Sequence, residues 1–278
     1  MVGYKDKNIA SCVKAIKAAT TSENFIYVFD QHPIDHKKDF IDIDGCEYEH
    51  RIWDDMAGPA AARWRLVHNN LDNFSYVCVV SPDITLASGW DTELIGLLED
   101  EDVVFSGSGK VIVEQKDLFS ITSSYQDSNR FSVSQVIDRN FIFAKSEAFG
   151  EILLPDFLKY AGENEYLTVS FLSKEYTIVS VPSRIYSDSR ARSVENTYHT
   201  FSLEHNYNTV VDILHSKNLE KYKISPQGVS RFLDFHKINP DSLKRLPYSA
   251  DDVLYDPYDL KMHGVDARRF IAGTKAVY

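Results

Sequence analysis

The chain has 278 residues, 44% hydrophobic and 13% aromatic, a composition that excludes a disordered chain and allows one large domain or two small ones. Its 30 basic and 41 acidic side chains give a net charge of −11, which argues against a general nucleic-acid or anionic-membrane surface. No run of about eighteen apolar residues offers a helix to cross a membrane.

The opening "MVGYKDKNIASCVKAIKAA" is charged and has no apolar leader core, so a cytoplasmic protein with no membrane attachment is expected. Cys12, Cys46 and Cys78 are odd in number and far apart, which suits reduced thiols. Ile9, Val13 and Ile16 recur at helical spacing. "NFIYVFDQ" then reads as a buried strand, and "GPAAARWRLVHNNL" as a helix that begins at Pro59. "FSYVCVV" is a second buried strand, followed by the helix "DTELIGLLED". "DVVFSGSGKVIV" reads as strand, turn and strand, and "FSVSQVIDRNFIFAKSEAF" as a strand leading into a helix. "NEYLTVSFLSK" is a helix and "YTIVSVP" a strand. This alternation predicts an α/β domain with a mostly parallel sheet flanked by helices over residues 1–190. Residues 191–278 form an extension, irregular apart from "LEHNYNTVVDILHSK" and "SPQGVSRFLDFHKI", with Ser225 expected to cap the second helix. From His215 onward the extension carries 11 Lys+Arg against 8 Asp+Glu, a basic tail on an acidic body.

In open α/β sheets, ligands bind beyond the C-terminal ends of the strands. "FSYVCVV" ends in Ser81-Pro82-Asp83, so Asp83 is a candidate carboxylate for a hard divalent cation on a diphosphate. Read alone, Asp83 also fits a strand end or a turn cap, and Arg63 and Arg65 fit a helix surface.

In order along the chain stand "VFDQ", "GPAAAR", "SPD", "GWD" and "GEN". This series resembles the GT-A glycosyltransferases, and in particular the cytosolic polypeptide GlcNAc-transferase family that modifies hydroxyproline. The resemblance covers roughly residues 25–190, with a fainter echo in "YKISPQGVSRFLDFHKI". It implies a GT-A, Rossmann-like nucleotide-sugar fold, a UDP-sugar donor, and Mn²⁺ or Mg²⁺ as cofactor.

It also implies roles for single residues. Tyr4 and Asp6 would hold the uracil place, Gln31 would lie near the nucleotide, and Arg63 would face the diphosphate. Asp83 would bind the metal, with Asp188 (in "RIYSDSRA") or His199 (in "NTYHT") as the late ligand. Trp90 and Asp91 would shape the acceptor side, although Trp90 fits a core anchor equally well. Glu163 would meet the reacting hydroxyl, with Asn164 where the family carries a second glutamate. Ser81 stands where the family has its first acidic residue. The first strand usual in such a domain has no counterpart ahead of "GYKDKN", which leaves a sheet edge to be covered.

The expected activity is transfer of a hexose or N-acetylhexosamine to a hydroxyl. The acceptor is either a cytosolic protein or glycan, or (glucosylated) hydroxymethylcytosine in DNA, as modified by glucosyltransferases of large phages. "KMHGVDARRF" and "RARS" favour DNA, and the overall charge opposes it. The alternative is a nucleotide-sugar-binding module that has lost turnover.

Overall fold

Tyr76–Val80 is apolar at every position because helices cover both faces of the strand that it forms. A computed structural model of the chain describes residues 2–3, 9–30, 35–50, 59–81, 84–100, 102–107, 110–112, 132–134, 137, 140–153, 163–181, 185–188, 213, 219–236 and 239. In chain order the elements are β1 (Val2–Gly3), α1 (Ile9–Ala19), β2 (Ile26–Asp30), β3 (Cys46–His50), α2 (Pro59–Asn70), β4 (Tyr76–Val80) and β5 (Ile84–Leu86). Then come α3 (Trp90–Asp100), β6 (Val103–Ser106), β7 (Lys110–Ile112), β8 (Ser132–Ser134), β9 (Phe141–Lys145) and α4 (Ser146–Gly150). The last are α5 (Glu163–Ser173), β10 (Thr177–Ser180), β11 (Ile185–Asp188) and α6 (Pro226–His236).

The strands form three sheets, in the orders β1-β2-β3, β4-β9-β6-β10-β8 and β5-β11-β7. The mostly parallel expectation holds for β1-β2-β3, and for the β6–β10 and β7–β11 pairs. Elsewhere it is corrected. β9 runs antiparallel to both β4 and β6, β8 to β10, and β5 to β11, so the fold is mixed. Antiparallel neighbours do not need the crossover helix that parallel ones require, and alternation along a sequence does not reveal them.

The central sheet buries both faces, and its residues alternate between two cores. Ile142 and Ala144 of β9 join Val79 and Val104 beneath α2, α4 and α5. Phe141 and Phe143 join Val80, Val103 and Phe105 beneath α1 and α3. α1 contributes Ile9, Val13 and Ile16 to the buried set, as its spacing predicts. No disulfide joins the three half-buried cysteines.

α5 is buried around nearly its whole circumference, which fits a helix enclosed by other elements. α6 packs on it, and Ser225 caps α6 as expected, its Oγ accepting the Gly228 N–H at 3.0 Å. The two helices meet at Gly228. A Cβ there would come within 2.2 Å of Ser173 Oγ and 2.9 Å of the Ser173 backbone nitrogen. Glycine in a helix normally costs about 1 kcal/mol relative to alanine. Here the backbone contact reverses the sign, and Gly228→Ala is expected to destabilise by about 1–3 kcal/mol. Thermal unfolding checks this, since an unchanged or raised midpoint would contradict the close packing.

Candidate functional site

At the C-terminal edge of the parallel β1-β2-β3 sheet, Gly3, Asp30 and His50 lie side by side. Asp30, which is fully buried, accepts the Tyr48 hydroxyl at 2.8 Å and lies 2.9 Å from His36 Nδ1. The His36 N–H in turn reaches the Tyr48 oxygen at 2.9 Å. Phe40 stacks on Tyr48 with centroids 4.5 Å apart. Burial raises the Tyr48 phenol, and the hydrogen bond to Asp30 raises it further, so it stays a donor. This is a polar cluster at the edge where an α/β sheet receives ligands. Asp30 closes an apolar strand, the pattern that also makes Asp83 a candidate, whereas the family resemblance points to its neighbour Gln31.

At the end of β4, Ser81 is buried, and its N–H donates to the Asn140 carbonyl at 2.9 Å. Its hydroxyl lies 3.2 Å from Asn140 Oδ1. Asp83 lies outside the described residues, as do Tyr4, Asp6, Gln31 and His199. Asp188 is described by its backbone as the last residue of β11. β11 pairs antiparallel with β5, Ile185 against Leu86, Tyr186 against Thr85 and Ser187 against Ile84. Among the described residues no group of three or more His, Cys, Asp or Glu side chains could hold a metal ion.

Gly-Trp-Asp ties α3 to the turn between α1 and β2. Gly89 has φ +66°, a left-handed conformation that favours glycine, and its N–H donates to the Ala19 carbonyl at 2.7 Å. Trp90 is buried edge-on against Phe141 and Phe143, and its indole N–H donates to Thr20 Oγ1 at 3.0 Å. Asp91 accepts the N–H of Thr21 at 2.9 and 3.1 Å and that of Ser22 at 2.7 Å. Trp90 thus serves as a core anchor, and the Asp91 carboxylate holds a backbone turn.

Burial raises the Asp91 carboxyl, but the donors from Thr21 and Ser22 outweigh it and hold the group below its ordinary value. A depressed folded-state value gives stability that is complete above the unfolded value and is lost as pH falls through the folded one. Asp91→Asn is therefore expected to cost about 1–3 kcal/mol at pH 7, with the gap to the parent shrinking below about pH 4. Unfolding midpoints at pH 7 and pH 3 check this, and an equal gap at both would contradict it.

Arg63 and Glu163, 100 residues apart, form a buried pair. Arg63 Nη1 lies 2.5 Å from Glu163 Oε2, and the Trp64 indole N–H donates to Oε1 at 3.1 Å. Glu163 is 1% exposed and opens α5, where a negative charge also complements the helix N-terminus. Asn164 is half-buried beside it, its backbone carbonyl accepting the Thr168 hydroxyl at 2.6 Å. The structure therefore brings two of the expected site residues together, but on each other. Arg65 stays exposed on α2.

No helix among the described residues is long and apolar enough to cross a membrane. No known protein family and no curated protein sequence matches the chain. Its structure is similar to the crystal structure of GalNAc-T7 with UDP, GalNAc and Mn²⁺, with a TM-score of 0.57 and 11% sequence identity. The likeness covers 94% of this chain and 56% of that one, so the chain spans just over half the length of that structure. A weaker likeness, TM-score 0.39 at 14% identity over 58% of this chain and 83% of the other, is to the crystal structure of A197 from STIV. The chain thus has a mixed α/β fold similar to that of a GT-A glycosyltransferase.

Proposed function

We infer that the chain is a metal-dependent glycosyltransferase that moves a hexose or N-acetylhexosamine from a UDP-sugar to a hydroxyl. The observation that carries this reading is the likeness of the fold, over 94% of the chain, to GalNAc-T7. Asp83 and Asp188, the latter the last residue of β11, would supply carboxylate oxygens to a cation. Oxygen donors of this kind suit Mn²⁺ or Mg²⁺, with His199 as a further ligand in place of or beside Asp188. When bound, the cation would offset charge growing on the diphosphate leaving group. The fold likeness supports the same reading, since GalNAc-T7 was crystallised with UDP and Mn²⁺.

The chain's own residues would then do the rest. Tyr4, Asp6 and Gln31, which follow Gly3 and Asp30 in the sequence, would hold the nucleoside end. The catalytic unit would span residues 1–190, with 191–278 packed on it as an extension. The packing of α6 on α5 supports that arrangement. The acceptor would be a cytosolic protein or glycan, or glucosylated hydroxymethylcytosine in DNA.

A second reading, a nucleotide-sugar-binding module without turnover, draws support from one observation. Both Glu163 oxygens are engaged by Arg63 and Trp64, and the Asp91 oxygens by Thr21 and Ser22, which leaves neither carboxylate to take a proton from a hydroxyl. The test is UDP release from UDP-glucose, UDP-GlcNAc and UDP-galactose, with and without Mn²⁺. Each donor is tried alone and with plain DNA, glucosylated hydroxymethylcytosine DNA or a hydroxyproline peptide. Metal-dependent release stimulated by one acceptor is the expected result. UDP binding without release from any donor would favour the second reading.

A further inference from the structure

Tyr76, Val77 and Cys78 are only half-buried, although helices cover both faces of β4. All three border a cavity of about 510 Å³, within the range of about 300–1,000 Å³ that small-molecule pockets occupy. Ile16 of α1, Val67 of α2 and Ile95 of α3 supply further apolar walls. Phe25 and Phe74, with ring centroids 6.4 Å apart, also border it, and Phe25 is 42% exposed, so an aromatic pair stands where the cavity meets solvent. Glu23 and Glu99 are exposed on the same border. Asp30, His36 and Tyr48 do not border the cavity, so it is separate from the polar cluster at the strand ends.

One buried donor on this wall is unspent. Arg63 borders the cavity and is 8% exposed. Its Nη1 donates to Glu163, but its buried Nε–H has no acceptor among the described residues. Native folds seldom leave a buried donor unpaired, so a guest in the cavity is the natural source of the acceptor. Glu163 already matches the guanidinium charge, and Glu23 and Glu99 add negative charge at the border. The acceptor that fits is therefore neutral, a carbonyl rather than a carboxylate. The buried Asp91 carboxylate on the same border is already engaged by the N–H groups of Thr21 and Ser22.

We propose that this cavity binds a small, neutral, largely apolar ring compound carrying one carbonyl, whose oxygen accepts the Arg63 Nε–H. The rings of Phe25, Phe74 and Tyr76 suit an aromatic body, which they can meet edge-on or offset. This site goes beyond the nucleotide-sugar reading and does not depend on it.

The test measures binding of three compounds to the full chain: benzophenone, diphenylmethane, which lacks the carbonyl, and diphenylacetate, which is an anion. Benzophenone is expected to bind at least about tenfold tighter than either, the scale of one hydrogen bond from a charged donor. Near-ultraviolet illumination couples its carbonyl carbon to a neighbouring C–H carbon, and peptide mapping should place the adduct on Leu66, Val67 or Tyr76–Val80. Arg63→Lys keeps a cation for Glu163 but has no Nε–H. It should bring benzophenone down to the affinity of diphenylmethane and leave diphenylmethane unchanged. If that variant does not fold, the three affinities and the adduct position in the parent chain still decide. Equal affinity for benzophenone and diphenylmethane, tightest binding of diphenylacetate, an adduct away from the cavity, or no binding of benzophenone would each overturn the proposal.

Discussion

Replacing Glu163 with alanine is expected to lower stability by about 3–5 kcal/mol, the range for removing one partner of a buried ion pair. The substitution strands the Arg63 guanidinium, and it also leaves the buried Trp64 indole N–H without its acceptor. Arg63→Ala should cost a similar amount by stranding the carboxylate. The pair itself is not required to add net stability, because desolvating two charges offsets most of their attraction. Combining Arg63→Met with Glu163→Gln removes both charges and leaves an amide to accept from Trp64, so it should recover most of the single-variant loss. Chemical denaturation of the three variants checks this cycle. Single losses below about 1 kcal/mol, or a double variant as weak as the sum, would mean that water reaches the pair.

Asp83→Ala is expected to lower metal-dependent UDP release by roughly 10²–10³-fold, the scale for losing one group that stabilises transition-state charge. Without metal, the substitution should leave the fold unharmed, because the carboxylate is proposed to serve the cation. Mn²⁺ should raise the unfolding midpoint of the parent chain but not of Asp83→Ala or Asp188→Ala, because an ion that binds only the folded state stabilises by mass action. His199→Ala separates the two late candidates. If it abolishes the Mn²⁺ response while Asp188→Ala preserves it, His199 and not Asp188 is the late ligand.

Elements whose reason is local were legible in the sequence. "FIYVFD", "YVCVV" and "YTIVS" announce strands because burial on both faces removes polar positions, and Ser225-Pro226 announces a helix start. β3 has no apolar signature, because "CEYEH" lies mostly half-buried and keeps its glutamates, and β5 has none because three residues after Ser-Pro-Asp carry no pattern. The direction of β9 is not legible, since nothing in "FIFAK" says whether its neighbours run with it or against it.

The site was harder to read for the same reason. Asp91 is bound by backbone groups 69 and 70 residues away, and Glu163 by an arginine 100 residues away. Sequence could supply these residues by type and order but not reveal that they were already engaged. Trp90 was legible as an anchor because a tryptophan opening an apolar helix has few other places to go. Asp30, a carboxylate closing an apolar strand, is legible by the same pattern that marks Asp83.

The most direct test of a cation–diphosphate site is calorimetric titration of the full chain with UDP, in the presence and absence of Mn²⁺. The account predicts at least about tenfold tighter binding with Mn²⁺, a coupling of about 1.4 kcal/mol or more that disappears in Asp83→Ala. Equal affinity with and without the metal, or a coupling that survives Asp83→Ala, would contradict it.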